Sequence, residues 1–265
     1  MYTTKALYAL EQKKSSTSVK LIEQALEYDS TSSHILAIQA YIWSFFVDTA
    51  YKKDSEFLIE KALASLPVQR PYKAFLTQMF IAKTFSELGQ YAKADTHFEQ
   101  ADSYALNPSL SLLNRTFRAT NACWNNDYTT CIKLMRETNL RELPFLHGKY
   151  ACPIAEVYAL AYSYYKTGYN DSAHAVIERY KIPCMNASYL FLKGTVTPHN
   201  IEAIRFFKEG LKYVDEALRF PPVPFYTKCQ AYRRLAEMYE EVYPRRAIKK
   251  ILHYRKKAEE AGDCE

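Results

Sequence analysis

The stretch from Phe75 to Pro108 constrains the fold of this chain more than any other. Its 34 residues, FLTQMFIAKTFSELGQYAKADTHFEQADSYALNP, divide at Gly89 into two amphipathic segments. In the first, Phe75, Met79, Ala82 and Phe85 recur at intervals that place them on one face of an α-helix. In the second, Ala94, Phe98 and Ala101 do the same. Gly89 supplies the positive φ that a short helix–helix turn needs. Asn107-Pro108 ends the second helix, because proline disfavours helical geometry in the residue before it. Small residues at Ala82 and Ala94 let the two backbones approach, and Phe98 fills the space between them. A hairpin of this size cannot bury its apolar face alone, so it requires stacked neighbours.

The remaining sequence supplies them. Ala6 and Ala9 mark a short first helix, KKSSTS the turn after it, and Val19, Ile22, Ala25 and Leu26 its partner. A second hairpin is expected from Ser33 to Ala50 and from Asp54 to Leu66, with Ser33 or Asp54 as N-cap and Ile59 and Ala62 echoing Phe98 and Ala101. After the 75–108 hairpin, a fourth runs from Leu112 to about Leu140, with Asn126-Asp127 in place of the glycine turn. There Cys131 and Met135 take the Ala and Phe roles. Leu143 to Pro153 interrupts the period as an irregular loop at about 141–153. The fifth, from Ile154, repeats the pattern in register through Leu160-Ala161, Tyr164, Gly168, Ala173, Ile177 and Tyr180. A sixth spans Met185 to Gly210: Gly194 is read as its turn, Pro198 as the start of its second helix, and Gly210 as a site of close approach. PPVP at 221–224 connects to a last hairpin carrying Leu235, Ala236 and Tyr239, then Ala247, Ile251 and Tyr254. The expectation is six to seven hairpins in a single domain, 1–265.

The 34-residue period, the A-x-x-x-F-x-x-A run and the closing proline resemble the tetratricopeptide (TPR) repeat, with Ile81-Ala82 where that family has Leu-Gly and Gln78 where it has Trp. The clearest matches are 75–108 and 154–187. The resemblance implies an all-α, right-handed superhelical solenoid that acts as a protein-interaction scaffold or adaptor. In that family the first helix of each hairpin lines a concave groove that takes a peptide or helix of a partner. Carried over by position, the groove residues are Met79 and Lys83, Thr116 and Thr120, Tyr158, Tyr162 and Tyr165, and Arg233. The three tyrosines stand one helical turn apart and form a ladder with hydroxyls available to a ligand; packing against the next hairpin is the alternative for the same residues. The Lys-x-x-x-Asn pairs that grip chaperone carboxylates are missing from the first helices. A structural subunit of a multiprotein assembly is the second reading that the resemblance allows.

Charge adds one feature. The chain carries a formal net charge of +6, and much of the excess crowds the last helix as Arg245, Arg246, Lys249, Lys250, Lys256 and Lys257, beside an apolar stripe of Ile248, Ile251, Leu252 and Tyr254. A solvated capping helix, complementing its own dipole at the C-terminal end, is the favoured reading. An acidic protein partner and a nucleic-acid backbone are the others. A protein or peptide partner is preferred to nucleic acid because no base-reading motif accompanies the charge.

The six cysteines form no C-x-x-C pair, so reduced thiols and no metal are expected. The longest apolar run, Ile35 to Val47, is shorter than the roughly twenty residues a membrane span needs, and Met1 to Lys14 has no apolar signal region. The expectation is therefore a soluble, cytoplasmic chain without membrane insertion. No phosphate-loop, dinucleotide, nucleophile-elbow or zinc-protease motif is present. The reading is a non-enzymatic protein without a cofactor, with His97 an inter-helix residue.

Overall fold

In a computed structural model of the chain, the described residues are 2–11, 15–44, 49–66, 70–136, 138, 154–180, 187–214 and 227–262. Among them the regular elements are α-helices, fourteen in number, with no strand. They cluster into two compact units, Met1–Ala151 and Cys152–Glu265. The sequence reading carries the hairpins through as one domain; the helices group on either side of the 141–153 interruption. That segment, like PPVP at 221–224, lies outside the described residues.

The first unit holds α1 (Tyr2–Glu11), α2 (Ser15–Tyr28), α3 (Ser33–Ser44), α4 (Thr49–Ala64), α5 (Pro71–Glu87), α6 (Tyr91–Ser103), α7 (Pro108–Trp124) and α8 (Tyr128–Met135). Consecutive helices pair as hairpins, and α5 packs on α3 while α7 packs on α6. The α5/α6 hairpin forms as its residues dictate. Pro71 takes the first helical position, where a missing N–H costs nothing. Phe75, Met79, Ala82, Phe85, Ala94, Phe98 and Ala101 are all buried, and a large apolar side chain so placed contributes roughly 1.5–3 kcal/mol. Gly89 turns left-handed at φ 75°, and the Gln90 N–H closes the turn on the Phe85 carbonyl at 2.8 Å.

Several boundaries depart from the sequence reading. Helix α6 ends at Ser103, and Pro108 opens α7 under an Asn107 cap whose side chain accepts from the Leu110 N–H at 3.0 Å. Residues 15–18 of KKSSTS are helical, and the Ser18 hydroxyl crosses the hairpin to donate to the Ala6 carbonyl at 2.8 Å. Asp54 lies inside α4. Ser33 opens α3 with its hydroxyl 3.0 Å from that of Thr77 in the interior. Ser32 holds the cap position instead, its carbonyl accepting from Ile35 and Leu36. Asn126 does replace glycine, at φ 62°, and the Asp127 side chain caps α8.

A polar stripe on α7 fastens it to α6. Asn114 donates to the Phe98 carbonyl at 2.7 Å and Asn121 to the Tyr91 carbonyl at 3.1 Å. Between them Arg118 forks onto Asp95 at 2.6 and 3.0 Å and reaches Glu99 at 2.6 Å. These residues are spaced to share one helix face.

The second unit holds α9 (Ile154–Lys166), α10 (Asn170–Tyr180), α11 (Ala187–Val196), α12 (Asn200–Gly210), α13 (Lys228–Val242) and α14 (Ile248–Ala261), again paired as hairpins. Gly168 forms the expected turn at φ 84°. Gly194 does not: it lies within α11, where a β-carbon would come within 2.6 Å of the Phe207 ring. Gly210 on α12 faces the Phe191 ring at the same 2.6 Å. Each helix thus carries Phe-x-x-Gly, and the two antiparallel helices interlock ring to glycine in both directions, with the rings 5.3 Å apart. Pro198 precedes the His199 cap of α12 rather than opening the helix. Cys229, buried on α13, is disulfide-bonded, which corrects the expectation of a reduced thiol at that position. Cys123 and Cys131 are free and buried.

Candidate functional site

The first helices of consecutive hairpins in the first unit stand side by side, as Lys83 demonstrates. From α5 its ammonium lies 4.5 Å from the Tyr41 ring centroid on α3 and 4.0 Å from that of Phe117 on α7. Both are attractive cation–π distances. Lys83 is half-buried, and so is Thr120 on α7, whose hydroxyl donates to the Thr116 carbonyl at 3.1 Å. Met79 and Thr116 are interior residues, at 0% and 1% exposure. Met79 points into the hydrophobic packing of its hairpin, and the Thr116 hydroxyl is satisfied by the Leu112 carbonyl at 2.8 Å. Neither lines an accessible surface, because helix-on-helix packing covers those positions.

One turn beyond Lys83 lies Glu87, half-buried at the C-terminal end of α5, where the helix dipole is unfavourable to an anion. Burial pushes its carboxyl from 4.5 to about 7, with the Lys83 charge pulling the other way. Across that window the folded chain holds a proton that the unfolded chain has released, so stability falls as pH rises from 4.5 to about 7 and levels off above. Glu87→Gln should flatten this slope in thermal melts recorded between about pH 5 and about pH 8. Wild-type and variant melting temperatures that run parallel across the same range would remove Glu87 as a source of pH dependence.

In the second unit the tyrosine ladder runs from the core outward. Tyr158 is 1% exposed and stacks on Tyr162 with centroids 5.4 Å apart. Tyr162 and Tyr165 are half-buried, and the Lys166 ammonium lies 5.7 Å over the Tyr162 ring. The packing alternative therefore holds for Tyr158, whereas Tyr162 and Tyr165 are partly open to solvent. Arg233 is exposed on α13, and its neighbour Arg234 donates to Glu237 at 3.0 Å and Glu241 at 3.2 Å.

The cations of α14 and of the turn before it fall into two groups. Lys250 lies 5.2 Å over the Tyr239 ring and Lys257 5.9 Å over Tyr232, while Arg255 donates to Glu240 at 2.7 Å. These lean on α13. Arg245, Arg246, Lys249 and Lys256 are exposed, with only Lys256 near a carboxylate, Glu260 at 3.8 Å, among the described residues. The apolar stripe is divided as well: Ile251 is buried, but Ile248 and Leu252 are 54% and 59% exposed.

The dipole explanation for these charges fails. Arg245, Arg246, Lys249 and Lys250 cluster at the N-terminal end, no acidic residue occupies the first turn, and no basic residue the last. Each cation at that end costs a few tenths to about 1 kcal/mol of helix stability.

Sequence reasoning missed the α7 stripe and Glu87. The first was readable as Asn114-x-x-x-Arg118-x-x-Asn121; the second carried no signal, since its burial comes from neighbouring helices. Among the described residues no cluster of His, Cys, Asp and Glu is suited to a metal ion, and no helix is long and apolar enough to cross a membrane.

No protein-family profile matches the sequence, and no curated protein does. Among solved structures, the chain is similar to the structure of Naa15/Naa10 bound to HypK-THB, at TM-score 0.39 and 13% identity. That similarity covers 100% of this chain and 39% of the other, so the chain spans about two fifths of its length.

Proposed function

We propose that this chain is a non-enzymatic protein-interaction scaffold of the tetratricopeptide-repeat kind, holding an extended peptide or a helix of a partner on the first-helix faces of its hairpins. One observation carries the reading. The first helices α3, α5 and α7 are aligned closely enough for Lys83 to touch rings on both neighbours, so a half-buried cation stands over the buried Tyr41 and Phe117 rings where the three helices meet. Aromatic and cationic side chains of this kind tend to anchor interfaces. Tyr162 and Tyr165 supply the same chemistry on α9.

The test is affinity capture with wild type, Lys83→Ala and Tyr162→Ala/Tyr165→Ala, followed by mass spectrometry. Selective loss of one protein, by at least about tenfold for a contact worth 1.4 kcal/mol, is the expected result. Tyr158 is left intact, because its truncation would damage the fold. An unchanged set of captured proteins from folded variants would overturn these faces as the binding surface and favour an assembly subunit that docks through other surfaces.

A further inference from the structure

We infer that the outward face of α14 docks an acidic amphipathic helix of a partner protein. This surface is distinct from the first-helix faces, because α14 is the second helix of its hairpin. Ile248, Lys249, Leu252 and Lys256 fall within about a third of the helix circumference at 100° per residue, with the exposed Glu259 at its C-terminal end. The opposite side, through Ile251 and Ala258, is buried. Arg245 and Arg246 extend the positive charge through the turn just before the helix.

Three features of this face point to one kind of occupant. Arg245, Arg246 and Lys249 stand at the N-terminal end, against the helix dipole, so helix stability does not account for them. The cations that lean on α13 are a different set, so the outward ones do not serve the hairpin's own packing. Two aliphatic side chains, Ile248 and Leu252, stand exposed one turn apart among them. A polyanion such as a nucleic-acid backbone satisfies the charge and leaves the aliphatic pair in water. An amphipathic helix bearing Glu and Asp beside Leu or Ile satisfies both, carboxylates meeting Lys249 and Lys256 while its apolar stripe covers Ile248 and Leu252.

The probe is a labelled helical peptide of about 20 residues, roughly 30 Å long, with Leu at every third or fourth position and Glu on the flanks. Fluorescence anisotropy compares it with a scrambled peptide of identical composition, an oligo-dT of matching charge, and phosphatidylserine vesicles. The expected result is saturable, salt-weakened binding of the amphipathic peptide, preferred at least about tenfold over the scramble. Ile248→Ser/Leu252→Ser and Lys249→Glu/Lys256→Glu should each reduce it about tenfold or more. All four positions are exposed, so these variants should fold, and far-UV ellipticity checks that they keep the wild-type helix content. Tyr162→Ala/Tyr165→Ala should bind the peptide normally, which separates this face from the proposed groove. Equal binding of peptide and scramble, insensitivity to the Ile248/Leu252 change, absence of binding, or preference for the oligonucleotide or the vesicles would each overturn the proposal.

Discussion

Tyr158→Ala should cost the second unit about 3–5 kcal/mol, the range for emptying a large aromatic site in a core. Tyr158 is among the largest fully buried side chains, and its ring stacks on Tyr162 at 5.4 Å. Its removal deletes dispersion contacts on every side and leaves a cavity too enclosed to collapse. Tyr162→Ala and Tyr165→Ala remove rings that are already partly in water; each should cost no more than about half as much. Urea unfolding of the full chain, followed through far-UV ellipticity, resolves the difference as a shift in midpoint. A Tyr158→Ala midpoint equal to wild type would show that the ring lies outside the core. The ranking also bears on function, because only Tyr162 and Tyr165 can be truncated in a binding experiment without confusing lost affinity with lost fold.

The helical hairpins were legible in the sequence because their determinants are local. Phe75, Met79, Ala82 and Phe85 declare a face by spacing alone, and Gly89, Gly168 and Asn126-Asp127 mark turns because only such residues accept a positive φ cheaply. What sequence could not give was which side of a helix its neighbours would cover. Met79 and Thr116 sit at positions that line a groove by family analogy, yet neighbouring packing encloses them. Lys83 sits on the same helix as Met79 and reaches the surface, a difference of one turn. Helix α14 shows the complementary failure. Its composition read as a dipole-complementing cap, but the reading depended on which end held the cations. That was fixed only once Ile248 and Ala261 were established as its limits.

Gly194 shows how one residue type carries two meanings. In sequence it resembles the turn glycines, yet it lies within the last turn of α11 with no positive φ. Gly194→Val and Gly210→Val should each destabilise the second unit by about 3 kcal/mol, the upper part of the overpacking range. Replacing glycine in a helix normally gains up to about 1 kcal/mol, so the sign depends on space. At Gly194 a β-carbon meets Phe207 ring atoms at 2.6 and 2.8 Å and the Ala203 carbonyl oxygen at 3.2 Å; at Gly210 it meets the Phe191 ring at 2.6 Å. Both rings are fully buried, so neither can swing aside, and the helices must part. Even Ala at either position should be destabilising, whereas at an unobstructed helix glycine it would stabilise. A double-mutant cycle supplies the decisive measurement. Phe207→Leu shrinks the obstruction facing Gly194, so Gly194→Val/Phe207→Leu should be more stable than the sum of its parts by about 1–2 kcal/mol. Coupling of Gly194 to Phe191 should be smaller, since that ring packs on the other glycine. Strict additivity between Gly194 and Phe207 would mean that the two helices do not meet through these residues.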